Sequence, residues 1–130
     1  MPGALTMNNR HFLLTTFVAT LIAGGGAQAA DAVAGEAVFK SQCSICHSVV
    51  AGRNQVGPSL AGITGRPAGQ VANFHYSPAN KNSGLTWDAA TLDRYLTNPG
   101  AVVPHTIMTY GGLKDPDKRA NLIAYLATLH

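Results

Sequence analysis

Cysteine is almost missing from this chain: Cys43 and Cys46 are the only two, three positions apart. That excludes a long-range disulfide framework. Charge is also scarce, at 12% of residues, and no basic cluster occurs, which argues against a nucleic-acid partner. There are no internal repeats, no low-complexity tracts and no convincing strand with a period of two. Without βαβ patterning, a thioredoxin-type redox disulfide has no scaffold here. A zinc site would need two more ligands at short spacing. There is no third cysteine, and His75, His105 and His130 are scattered.

The longest apolar run, Phe12 to Ile22, is diluted by Thr15, Thr16 and Thr20 and is short for a membrane span of about 20 residues. It reads instead as the core of a secretory signal. Arg10 precedes it, Gly24-Gly25-Gly26 breaks it, and Ala27-Gln28-Ala29 is a small-x-small cleavage pattern. We expect residues 1–30 to be a cleavable signal, cut after Ala29 or Ala30, with Met7 an alternative start and a retained anchor the competing reading. Residues 31–130 then form one exported domain. Its eight basic and six acidic side chains give a formal +2.

What the chain does have is Cys43-Ser44-Ile45-Cys46-His47. This is C-x-x-C-H, the attachment signature of c-type haem. On a helical turn, residues three and four apart share a face. The two thiols can then bond to one edge of a haem while His47 binds the iron. Thioether formation also removes the liability of free thiols in an exported protein. A buried haem would supply apolar volume that a domain of about 100 residues, rich in glycine and proline, otherwise has little of.

The rest reads as all-α with long loops. Ala32 to Cys46 is expected to be helical, with Gly35 at a close helix approach. Ser48 to Gln70 is loop, punctuated by glycine and proline. A loop that long needs something to pack on, and a haem edge would serve. Ser77-Pro78 starts a short helix ending near Asn82. Thr86 is expected to cap a helix carrying Trp87, Leu92, Tyr95 and Leu96, which stops at Asn98-Pro99-Gly100. Ala101 to Gly112 is loop. Asp115-Pro116 opens a last helix whose stripe is Leu122, Ile123, Tyr125, Leu126 and Leu129.

Candidates for the second iron ligand are Met108, His75, His105 and His130. Met108 is the only methionine beyond the signal, and it lies on a loop rather than in an apolar stripe. Its soft sulfur would favour ferrous iron and raise the reduction potential. An iron with both axial positions filled suits an electron carrier better than an enzyme.

These residues resemble class I cytochrome c, the mitochondrial type and its bacterial relatives, from Gly35 to Leu129. The segments that carry the resemblance include Cys43 to His47, Val56-Gly57-Pro58-Ser59-Leu60, Gly65 to Gln70, Phe74 to Lys81, Leu85-Thr86-Trp87, Tyr95 to Pro99, Pro104 to Met108, Gly111-Gly112-Leu113 and Asn121 to Leu126. The resemblance implies a cytochrome c fold: three main helices, short ones and long loops around one covalent haem c on Cys43 and Cys46. It implies His47 and Met108 on the iron and the Pro58 carbonyl accepting the His47 ring N–H. It implies Arg66, Tyr76 and Trp87 around a buried propionate, and Tyr95, Thr106 and Asn80 in a polar network beside Met108. It also implies that Gly35 and Phe39 pack on Leu122 and Tyr125.

The function implied is electron transport, with no catalytic residues. The expected protein is a soluble, monomeric periplasmic carrier between a cytochrome bc complex and a terminal oxidase or photosynthetic reaction centre, or one serving a periplasmic dehydrogenase. The competing readings are a peroxidase-like or gas-sensing haem protein with a displaceable sixth ligand, and a haem-free thiol oxidoreductase. The chain departs from the family at two places. His105 stands where glycine is usual. Gln42, Gln55, Gly100 and Ile107 stand where the family tends to place lysines around the exposed haem edge.

Overall fold

Asp31 caps the first helix. Its carboxylate accepts from the amides of Val33 (2.8 Å) and Ala34 (3.3 Å), satisfying donors that a helix N-terminus leaves without partners. The computed structural model describes residues 28–130, with Met1 and Gly3. The expected signal segment lies almost wholly outside the described residues. Among the described residues, no helix is long and apolar enough to cross a membrane.

The order is α1 (Ala32–Gln42), α2 (Pro78–Lys81), α3 (Ala89–Thr97), α4 (Pro99–Val102) and α5 (Pro116–Leu126). Among the described residues, three longer helices, two short ones and long connections make an all-α architecture. The one β-type pairing among the described residues is an isolated bridge between Pro67 and Thr86.

α1 and α5 cross in direct contact, and Gly35 makes the crossing possible. A Cβ there would lie 1.9 Å from the Asn121 carbonyl oxygen and 2.8 Å from Tyr125 Cβ. The Asn121 side chain also accepts from the Asp31 amide at 2.7 Å, and the rings of Phe39 and Tyr125 pack at a 46° tilt with centroids 5.6 Å apart. The expected crossing is present, with the Asn121 backbone as the surface that Gly35 meets. α3 is tied to α5 by Arg119, whose Nε donates to Asp93 Oδ1 at 2.6 Å and whose Nη1 donates to the Leu113 carbonyl at 2.9 Å. Phe39, Leu92, Leu96, Leu122 and Leu126 are buried in the core between these helices.

Three expected boundaries need correction. α1 stops at Gln42 rather than Cys46. The Ser44 amide reaches back five residues to the Phe39 carbonyl, and its hydroxyl takes the Lys40 carbonyl at 2.7 Å. The side chain thus occupies the acceptor that a continuing helix would use. α3 is capped by Asp88, not Thr86: its carboxylate accepts from the Thr91 amide at 2.7 Å. Thr86 is held in the bridge to Pro67, and Trp87 exchanges backbone bonds with Gly65 and Arg66, so Trp87 precedes the helix. Asn98 and Pro99 end α3 but also start α4, Asn98 accepting from the Ala101 amide. Ser77 caps α2 and Asp115 caps α5 where the sequence suggests.

Candidate functional site

The C-x-x-C-H segment keeps a turn of its own beyond α1. The Cys43 carbonyl accepts from the amides of Cys46 (3.0 Å) and His47 (2.9 Å). Both thiols are partly buried and unpaired. Burial, with Cys46 nearby, pushes the Cys43 thiol up to about 11. A free thiol there would be protonated at neutral pH, unlike the thiolate that disulfide exchange or zinc binding needs. Among the described residues no cluster of three or more His, Cys, Asp or Glu side chains could hold a metal ion.

His47 is fixed from two sides. Its Nδ1–H donates to the Pro58 carbonyl at 2.8 Å, which leaves Nε2 as the lone-pair nitrogen. Burial lowers its basicity, and the Pro58 bond opposes that in part. Gly57 lies against the imidazole. A Cβ there would come within 2.3 Å of His47 Cε1. The Gly57 amide donates to the Cys46 carbonyl at 2.8 Å, clamping the loop onto the motif.

Met108 sits on the connection between α4 and α5. Tyr95, from α3, donates its hydroxyl to Met108 Sδ at 3.3 Å, and the Met108 amide donates to Thr106 Oγ1 at 3.2 Å. Burial raises the Tyr95 phenol, with the Thr106 hydroxyl pulling the other way, so Tyr95 stays a donor. Its ring packs on Trp87 at 4.7 Å. Arg66 donates through Nη1 to the Ala61 carbonyl (2.9 Å) and through Nη2 to the Ser59 carbonyl (3.2 Å). The Tyr76 hydroxyl accepts from the Val71 amide at 3.2 Å. Asn80 Oδ1 is buried without a hydrogen-bond partner.

These residues surround one cavity of about 420 Å³, open at one side. Cys43, Cys46, His47, Pro58, Arg66, Tyr76, Asn80, Trp87, Tyr95, Thr106 and Met108 all line it, so the site expected from sequence is brought together. His75, His105 and His130 do not line it; His75 borders a smaller polar recess with Lys81. The donor set fits a haem: an imidazole, a thioether, a thiol pair on one turn, apolar walls including Leu60, Ile63, Leu92 and Leu96, and an orphaned amide oxygen needing a partner. Sequence reasoning missed Tyr110. It lines the same cavity, and its hydroxyl reaches Gln42. An aromatic two residues after the candidate ligand was the available signal.

Comparison with known proteins agrees with this geometry. The sequence model of the cytochrome c family matches residues 32–130. The chain is 54% identical over 114 residues to cytochrome c2 of Rhodomicrobium vannielii, spanning 86% of this chain and 90% of that protein. It is 46% identical over 105 residues to cytochrome c2 of Rhodopila globiformis, spanning 81% and 99%. Among solved structures, cytochrome cH from Methylobacterium extorquens superposes with a TM-score of 0.71 at 44% identity, over 75% of this chain and 98% of that one. With a family match over residues 32–130 and its cavity built around C-x-x-C-H, the chain belongs to the cytochrome c family.

Proposed function

We propose that this chain carries single electrons between larger redox complexes, with His47 and Met108 as the two axial ligands of its haem iron. The protein is a periplasmic-type monohaem electron carrier, and Cys43 and Cys46 hold haem c covalently. The group supplies one-electron exchange between ferric and ferrous iron. Every other task falls to the chain. Pro58 and Gly57 orient His47; Tyr95 and Thr106 hold Met108; the apolar walls exclude water. Arg66, Tyr76 and Trp87 are the groups we assign to a propionate, and Asn80 to the polar network beside Met108.

The single observation that carries the ligand assignment is that the Met108 sulfur and the His47 ring border one cavity with the thiol pair, while no other candidate histidine does. Met108→Ala tests it. The reduction potential should fall, because the soft sulfur that favours Fe(II) is gone, and the ferric iron should take up added imidazole or peroxide. A variant with unchanged potential and low-spin spectrum would reject Met108. It would also reopen the peroxidase-like and gas-sensing reading.

The domain division follows from the same observations. α1 begins at Ala32 behind its Asp31 cap, and the family match also begins at 32. This supports a domain from 31 to 130 behind a signal removed near Ala30, and mass spectrometry of the exported protein would fix the cut. For partners we assign a cytochrome bc complex as donor and an oxidase or reaction centre as acceptor, or in place of that pairing a periplasmic dehydrogenase.

A further inference from the structure

The loop that carries Met108 has little holding it. Between Thr106 and Leu113 no backbone amide donates to a backbone carbonyl; the next such bond is Leu113 to Leu96 at 2.7 Å. At its start, His105 is exposed and has φ +65°, a left-handed conformation that disfavours most side chains. A segment with few backbone bonds and local strain opens at low cost. What ties it back across the cavity is a side chain. The Tyr110 hydroxyl donates to Gln42 Oε1, 68 positions away in sequence. Both residues line the cavity. Gln42 is the last residue of α1 and immediately precedes Cys43. α1 is locked onto α5 at Gly35, so Gln42 is a fixed point and Tyr110 the element that could move.

We propose that the Tyr110–Gln42 hydrogen bond is a clasp between the Met108 loop and the haem-attachment helix, holding the methionine sulfur against displacement by an outside ligand. The clasp rests on the assignment of Met108 as a ligand. Tyr110 and Gln42 are positioning residues: neither binds iron, and both act through where Met108 sits. Tyr95 and Thr106 hold Met108 from α3 and from the preceding turn. The clasp holds the loop from its other side, at the cavity mouth.

The test uses holoprotein with imidazole as the probe. Binding to the ferric protein is followed by absorbance, and methionine ligation by its methyl resonance. Tyr110→Phe and Gln42→Leu should each tighten apparent imidazole binding by about three- to tenfold, the effect of one hydrogen bond. The double variant should match either single variant, because both remove the same interaction. Gln42→Glu, which keeps an acceptor, should stay close to wild type. In a Met108→Ala background, Tyr110→Phe should add nothing. If Met108→Ala tightens imidazole binding but neither clasp variant does, the clasp is overturned and Met108 stands as ligand. Additive effects of the two clasp variants would also overturn it, since they would then act separately. If Met108→Ala itself changes nothing, the ligand assignment fails and the clasp with it.

Discussion

Among the described residues, His105 and Asn73 are the non-glycine residues with positive φ, and His105 is the one that leads into the Met108 loop. Histidine is among the residues better tolerated in the left-handed region, and the exposed ring at φ +65° is a workable compromise. Two effects oppose each other on substitution. His105→Gly would relieve the conformational cost but add freedom to the unfolded chain, by about 0.4–1 kcal/mol. The net change in stability should be near zero. His105→Val would place a β-branched side chain in a region that costs roughly 1–2 kcal/mol, and should destabilise by about that much. Guanidinium unfolding of both holoproteins checks this; equal stabilities would mean the left-handed φ is not maintained in solution. At this scale the site was largely legible, because covalent attachment demands a fixed spacing that survives in the letters C-x-x-C-H. The Tyr110–Gln42 pair was not, because nothing local marks two residues 68 apart as partners.

Between elements, the crossing of α1 and α5 decides whether the cavity exists, since Cys43 follows α1 directly and Leu122 and Leu126 of α5 line its wall. Gly35→Ala would force its methyl against the Asn121 carbonyl, a backbone atom that cannot rotate away. We expect a loss of about 1–3 kcal/mol, the usual range for overpacking, seen as a lower thermal midpoint. Little or no loss would mean the helices can separate slightly without consequence. α1, α2, α3 and α5 could be read from caps and apolar stripes, and Ser77 and Asp115 are where they were expected, whereas α4, Pro99–Val102, falls where a stop and a loop were expected. The ends of α1 and α3 could not be read this way. Ser44 ends α1 through its own hydroxyl. Thr86 fails to cap α3 because the bridge opposite Pro67, nineteen positions earlier, holds its neighbours Leu85 and Trp87 in backbone bonds to Ala68 and Arg66. The first cause is local but competes evenly with helix propensity; the second is tertiary and leaves no trace in the local sequence.

For the molecule as a whole, the cavity sets the stability of the apoprotein. About 420 Å³ at roughly 24 cal/mol per Å³ amounts to about 10 kcal/mol as an upper figure, since the mouth admits water. That is comparable with the entire stability of a typical domain, about 5–15 kcal/mol. Cys43→Ala with Cys46→Ala should therefore leave little holoprotein and a largely unfolded apo chain by circular dichroism; a cooperative apoprotein melt with full helix content would contradict it. The outer surface sets association. At the cavity mouth Ile45, Val56 and Ile107 are 83%, 77% and 60% exposed. Among the described residues, Arg66 is the one Lys, Arg, Asp or Glu side chain lining the cavity, and it donates to backbone carbonyls. Elsewhere Lys40 pairs with Glu36, Lys118 with Asp115 and Arg119 with Asp93. These pairs leave a weak field around a domain of formal charge +2. Electrostatic steering raises association rates by about 10–1,000-fold and collapses as the screening length shortens to about 8 Å at physiological salt. Here contact at the mouth would be apolar, which salt does not screen. Electron transfer to the oxidant complex in native membranes should then slow by less than about threefold between low and physiological ionic strength. Ile107→Lys puts a charge at the mouth and should make the same reaction visibly salt-dependent, slower or faster at low salt according to the sign of the partner's face. A steep salt dependence in the wild type would mean that Arg53, Lys81 and Lys114 act together as a basic face, and apolar docking would be wrong.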